Sequence, residues 1–349
     1  MKFYKQIIII ILIIFLKTET LLSENNLFNV NNIQLEKKTG TTNKALADLA
    51  IKKGFNQLIL RILLKEDINK FSDLNFSSIK QLVTYYQITN VDEGEENRQL
   101  SNFSVTFDKD KIHDLFYKRG ISYAEILDKE LYILPVLIKK EEIFIFNKNF
   151  FYENWNKFYE QDLIEFVLPL ENIEIIQKIN SKKNNLISLD VKTLFNEYQN
   201  KNLALILIED NKSINQKIYI KLLVQGKNIS KSFNFKKKEI KDEKIYENII
   251  FELKKELINL VKSKNLIDIR TPSFLNVKLD LNRKNNLVEL NSRMETIDSI
   301  ENIYVQEFNK DYMSLRIKYL GKLDKIITQL KKENVRLQLI NGQWIIKVL

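Results

Sequence analysis

A single histidine and the absence of cysteine leave this 349-residue chain few side chains with which to do chemistry. His113 lies in "KDKIHDLFYKRG", with Asp110 and Asp114 nearby and the helical stripe Ile112, Leu115, Phe116 beside it. Imidazole titrates near neutrality, so a pH-sensing or basic role would fall to His113, and any Ser-His-Asp hydrolase would have to use it. The plain alternative is a partly exposed helix residue beside Asp114. Histidine-rich zinc sites and thiolate nucleophiles are excluded. Glycan hydrolysis needs only two acids at a defined separation, for which Glu141, Glu142, Glu153, Asp162 and Glu165 are the candidates. Glu141 and Glu142, however, fall where a hairpin turn is expected, and solvated charges belong there.

The aromatic-rich stretch "FFYENWNKFY" (150–159) has two readings: a surface that stacks on sugars or on a partner's side chains, or a short helix packed on a sheet. Phe151, Trp155 and Phe158 are the candidates for partner contact. "DEGEEN" (92–97) carries carboxylates without EF-hand spacing and reads as a solvated turn. Trp344 reads as a core or edge residue. No phosphate-cradling, nucleophile-elbow or H-E-x-x-H motif occurs, and 7 scattered glycines build no such loop. No cofactor is implied, and no small-molecule substrate is evident.

The elements that must position these residues are read from periodicity, since only 7 glycines and 3 prolines punctuate the chain. "LFNVNNIQLEKK" suits an opening strand. "TTNKALADLAIKKGFNQLILRILLKE" places Ala47, Ile51, Phe55, Leu58 and Ile62 on one helical face, and a second helix is expected over Ser77–Tyr86. "FSVTF" is a strand, Asp108 a cap and Gly120 a helix stop. A second unit runs through strands at "LYILPVLI", "EIFIFN" and "IEFVLPL" and a helix within "SLDVKTLFNEYQNK". Three further strands follow, then a helix carrying Ile245, Ile249, Leu253, Leu257 and Leu260. After "DIRTPS" the pattern is β-α-β-β-α-β, ferredoxin-like, with one added strand across an Asn341-Gly342 hairpin. These readings predict an α+β, multi-domain protein of small mixed or antiparallel sheets packed by helices. The expected domains are 24–125, 126–268 and 269–349, the last ferredoxin-like.

"KQIIIIILIIFLKTETLLSE" (5–24) has the form of a secretory leader over 1–23, with Lys2 and Lys5 ahead of the apolar run and cleavage expected near Ser23. Ile7–Leu16 would span about 15 Å as a helix, about half of a ~30 Å hydrocarbon core. The alternatives are an uncleaved anchor in the inner membrane and a buried helix. Formal charge is +10, and removing residues 1–23, with three lysines and one glutamate, leaves +8. Lysines interleaved with acids, as in "KKKEIKDEKIYE" (236–247), read as a solvated face, so no nucleic-acid partner is expected.

The helix "LADLAIKKGFNQLILRILL", the unit "FSVTFDKDKIHDLFYKRGISY", the strand "ILPVL", the aromatic "NFFYENWNKF" and "FVLPLENIE", in that order, resemble the exported proteobacterial proteins grouped as domain of unknown function 2066. The likeness runs from about residue 28 to 265. It implies a Gram-negative envelope protein and carries over no catalytic residue. From "FVLPLENIE" to the long helix the chain is also similar to the amino-terminal module of TolB and to CsgG-like modules, which implies protein contacts. The resulting expectation is a non-enzymatic periplasmic protein that binds other envelope proteins in assembly or maintenance. The alternatives are a carboxylate-dependent cell-wall glycan hydrolase and a module for anionic polymers or membrane surfaces, with peripheral membrane association.

Overall fold

The computed structural model describes residues 27–37, 41–91, 99–157, 163–210, 215–236, 242–281 and 286–349. The leader at 1–23, the acidic turn at 92–97, Phe158 and Asp162 lie outside them. Helices and strands form several small sheets, an α+β architecture. The chain divides into two compact units, Met1–Tyr123 with Ile267–Leu349, and Ala124–Leu266. The two chain ends fall in one unit while each keeps its own sheet and core, with Ile267 and Leu320 joining the core of the first part.

That first part holds β1 (Asn29–Lys37), α1 (Asn43–Ile62), α2 (Phe76–Gln81), β2 (Val83–Val91), β3 (Gln99–Phe107) and α3 (Lys109–Arg119). Its sheet is antiparallel, in the order β1-β3-β2. α1 starts at Thr42, whose hydroxyl accepts from the Ala45 N–H, and its stripe Ala47, Ile51, Phe55, Leu58, Ile62 is buried. Mid-helix Gly54 lets α1 close on the sheet: a Cβ there would meet Ile33 Cδ1 at 2.9 Å and Val105 Cβ at 3.5 Å. The helix expected over 77–86 stops at Gln81, since the β-branched and aromatic run that follows pairs with β3 as β2. Asp108 caps α3 by accepting from the Asp110 and Lys111 N–H groups, and Gly120 at φ 63° ends it.

The chain passes through β4 (Tyr123–Ala124) into the second unit. This comprises β5 (Glu130–Lys139), β6 (Glu142–Phe144), α4 (Phe150–Asn154), β7 (Glu165–Val167), α5 (Ile173–Ser181), α6 (Val191–Leu194), β8 (Asn202–Asp210), β9 (Asn215–Val224), β10 (Lys227–Lys236) and α7 (Asp242–Lys264). The sheet order is β10-β9-β8-β5-β6, with β7 also along β5. β5 and β8 pair in parallel from Leu131↔Asn202 to Lys139↔Asp210. Both of their faces are covered, which explains the unbroken apolar runs. Ala204, Ile206 and Ile208 pack with Ile249, Leu253 and Leu257 of α7; Leu203, Leu205 and Leu207 pack with Ile175 and Ile179 of α5 and Leu194 of α6. The sequence reading had not placed a helix at α5.

β11 (Leu266–Ile267) leads back to β12 (Ser273–Asp280), α8 (Asn286–Glu295), β13 (Ile300–Phe308), β14 (Tyr312–Tyr319), α9 (Leu323–Lys332), β15 (Val335–Ile340) and β16 (Gln343–Val348). The β-α-β-β-α-β order is present, and the sheet runs β13-β14-β12-β16-β15. The added strand β16 lies inside the sheet, parallel to β12 and antiparallel to β15. Asn341 (φ 50°) and Gly342 (φ 78°) make the expected tight hairpin. Trp344 is half-buried and packs against this sheet's core. Ile267 and Leu320 enter the core of the amino-terminal part, and the Asp298 carboxylate accepts from the Leu27 N–H at 3.2 Å.

Because Gly54 lies against the sheet, Gly54→Val should lower stability by about 1–3 kcal/mol through overpacking. Urea unfolding measures this, and an unchanged midpoint would show that α1 does not approach so closely.

Candidate functional site

β13 is an outermost strand, and among the described residues no strand pairs with its far edge. Tyr304, Val305 and Phe308 stand 44%, 57% and 68% exposed on it. The edge of the second unit's sheet differs. On β10, Lys227, Ser230, Lys231 and Ser232 face solvent, while Ile229, Phe233 and Phe235 pack inward. Lysines and polar residues protect an edge from joining another strand; "IENIYVQEF" contains no lysine.

Two bulges shape β13, where Glu301 and Gln306 are the extra residues against β14. A bulge re-aims a side chain. The Glu301 carboxylate comes within 3.3 Å of His113 Nδ1 and 3.2 Å of Lys318 Nζ. These two partners, His113 foremost, hold the Glu301 carboxyl down at about 2, from an ordinary 4.5, against the opposing effect of burial. His113 is 7% exposed, stacked on Tyr123 with ring centroids 5.3 Å apart and edge-on to Phe28 at 5.5 Å. The expectation of a partly exposed helix residue beside Asp114 is therefore corrected. The imidazole is buried, and its acidic neighbour comes from a distant strand, which helix periodicity does not reveal.

The second unit holds a cleft of ≈ 650 Å³ where β5 and β8 begin. Its wall runs from Asp190 through the turn after α6 to Asn202, with Asp128 and the β9–β10 tip, Gln225-Gly226, opposite. Asn202 is a structural hub: its amide donates to Asp128 Oδ2 at 3.2 Å and to the Asp128 and Glu130 carbonyls, and its oxygen accepts from the Gln225 N–H. Asp190 caps α6 through the Thr193 N–H and hydroxyl, and the hydroxyl bond foremost lowers its carboxyl below the ordinary value. Both acids in the cleft are thus engaged as hydrogen-bond acceptors.

The residues singled out from sequence are distributed otherwise. Phe151 and Trp155 are fully buried, Phe151 5.0 Å from the Tyr246 ring and Trp155 5.9 Å from Phe166. Their expected role as exposed partner contacts is corrected: they anchor α4 under α7. Asn149 fixes this, since its buried amide donates to the Pro135, Phe144 and Ile145 carbonyls and its oxygen caps the Phe151 N–H. Glu141, at φ 66°, and Glu142 flank the β5–β6 turn, while Glu165 pairs with Glu130 at the other end of β5. Ten residues of strand put Glu142 and Glu165 about 30 Å apart, far beyond the ~5–9 Å of a glycosidase pair. Glu153 accepts from the Lys148 N–H at 3.0 Å. Among the described residues no group of three histidine or acidic side chains is placed to hold a metal, and no helix is long and apolar enough to cross a membrane.

Fold and surface together define, among the described residues, a two-unit α+β protein with lysine-free outer strands at β13 and β2, Tyr85, Tyr86 and Ile88 being exposed on the latter, and with a polar cleft in the second unit. No family model matches the chain, and no curated protein matches it. One solved structure, titled the crystal structure of an uncharacterized protein, aligns with 40% of this chain and 94% of its own at 10% identity, with a TM-score of 0.17. That likeness carries no argument about fold or function.

A carboxyl whose folded pKa is depressed contributes stability above its unfolded value and loses it as pH falls through the folded one. The unit formed by the two chain ends should therefore lose stability between about pH 4.5 and about 2 through Glu301. Glu301→Gln should flatten that limb in acid unfolding curves; an unaltered limb would place the titration elsewhere. Trp155→Ala should cost about 3–5 kcal/mol as a core truncation. A stable Trp155→Ala protein would return this residue to the surface.

Proposed function

We propose that this chain is an exported envelope protein that binds another protein without catalysis, by accepting an extended segment of that partner along β13. The observation that carries the reading is the lysine-free outer edge of β13 with Tyr304, Val305 and Phe308 exposed. Such an edge offers backbone N–H and C=O groups to an incoming strand, and alternate side chains select which strand. The leader-like residues 5–24 support the envelope setting.

Charge narrows the occupant. Exposed Glu307 favours a partner segment with a lysine or arginine opposite it. A second copy is a poor occupant, because β13 itself carries no lysine or arginine to set opposite Glu307. The chain's formal +10 adds repulsion between copies.

A photo-crosslinking residue at Val305, compared in cells with one at Ser230 on β10, tests the reading. Crosslinks at 305 and not at 230 are expected. The captured segment, made as a peptide, should slow amide exchange across Ile300–Phe308, and Val305→Lys should weaken it about tenfold or more, as lysine protects edges. Equal crosslinking at both edges, or a concentration-dependent dimer in sedimentation, would overturn it. Fractionation with mass spectrometry of the mature amino terminus tests the setting. A terminus near Glu24 in the periplasm is expected, and an intact Met1 in the inner membrane would replace a secreted form by an anchored one.

A further inference from the structure

The cleft of the second unit makes no use of the β13 edge, and its chemistry points to a different kind of ligand. We propose that it binds a short stretch of neutral carbohydrate. Two carboxylates, Asp128 and Asp190, face two ammonium groups, Lys192 and Lys201, so the lining has no net charge with which to select an ion. Lys201 is further neutralised by Glu130 at 2.5 Å. Gln199 and Asn200, with their side-chain amides, also line the cleft, whereas the Asn196 amide donates to the Lys192 and Thr193 carbonyls. An amide offers a donor and an acceptor side by side, which matches hydroxyl groups that both donate and accept.

Tyr198 supplies the apolar element. Its ring rests against Tyr132 with centroids 4.5 Å apart and lies edge-on to Phe195 at 6.3 Å, so it is held in place before any ligand arrives. A rigid aromatic ring among amides presents a surface for the C–H face of a pyranose together with partners for its hydroxyls. Asn200 takes the left-handed conformation (φ 66°), as do Gln225 (φ 50°) and Gly226 (φ 73°) at the opposite rim. The cleft's ≈ 650 Å³ lies in the range of small-molecule sites, about 300–1,000 Å³. Both acids already hold the wall of the cleft together, Asp190 accepting from the Thr193 N–H and hydroxyl and Asp128 from the Asn202 amide.

The test is titration of the ¹⁵N-labelled protein with tetra-N-acetylchitotetraose and with maltotetraose, up to roughly 10 mM, the weak end of specific affinity. Saturable shifts of the Gln199–Asn202 and Gln225 amides by at least one sugar are expected, with no hydrolysis of it. Asn200→Gly keeps the left-handed backbone while removing the amide and should weaken binding several-fold; Tyr198→Ala should weaken it about tenfold or more. Since Tyr198→Ala also disturbs Tyr132, Asn200→Gly decides if that variant misfolds. No shift with either sugar, or affinity unchanged in Asn200→Gly, would overturn the proposal. So would shifts produced by inorganic phosphate and by neither sugar, which would mark an anion site on Lys192.

Discussion

The burial of Ile267 and Leu320 in a core otherwise built from residues 28–123 is the contact on which one half of this molecule depends. The chain has no cysteine, and packing, hydrogen bonds and an ion pair join the returning chain to the amino-terminal part. Once these apolar side chains are seated, other contacts follow. Leu27 donates to Asp298, Lys109 donates to the Ile300 carbonyl at 3.2 Å, and His113 meets Glu301. Each is modest alone.

That placement gives β13 its character. The bulge at Glu301 brings its carboxylate to a buried imidazole and Lys318, and Ile303 packs on the sheet's core, while Tyr304, Val305 and Phe308 are exposed. The strand is thus held at Glu301, while Tyr304, Val305 and Phe308 stand exposed along the remainder. β10 shows the opposite solution, polar and lysine-rich outside, apolar inside.

The second unit rests on a different constraint, the parallel pairing of β5 with β8. Parallel neighbours need a crossover, and the segment between them supplies α4, α5 and α6. The crossover returns through the turn at Gln199–Asn202, which borders the cleft. The aromatic segment 150–157 belongs to the same crossover but packs under α7, so aromatic density there serves the core and leaves the cleft to Tyr198.

Local patterning by itself determined the elements that obey a short period or a cap. α1, α7, the Asp108 and Gly120 ends of α3, and the Asn341-Gly342 hairpin are all legible because their cause lies within a few residues. Where neighbouring signals compete, as in 77–86, strand pairing with β3 prevailed over helical spacing. α5 was missed although Ile175 and Ile179 are spaced for one helical face, since the preceding "FVLPL" reads as a continuing strand. Only the tertiary structure decided that Phe151 and Trp155 are interior, that His113 faces Glu301, that Glu142 and Glu165 lie apart, and which strands lie at sheet edges. Burial and long-range pairing depend on residues far apart in the chain, and no local pattern records them.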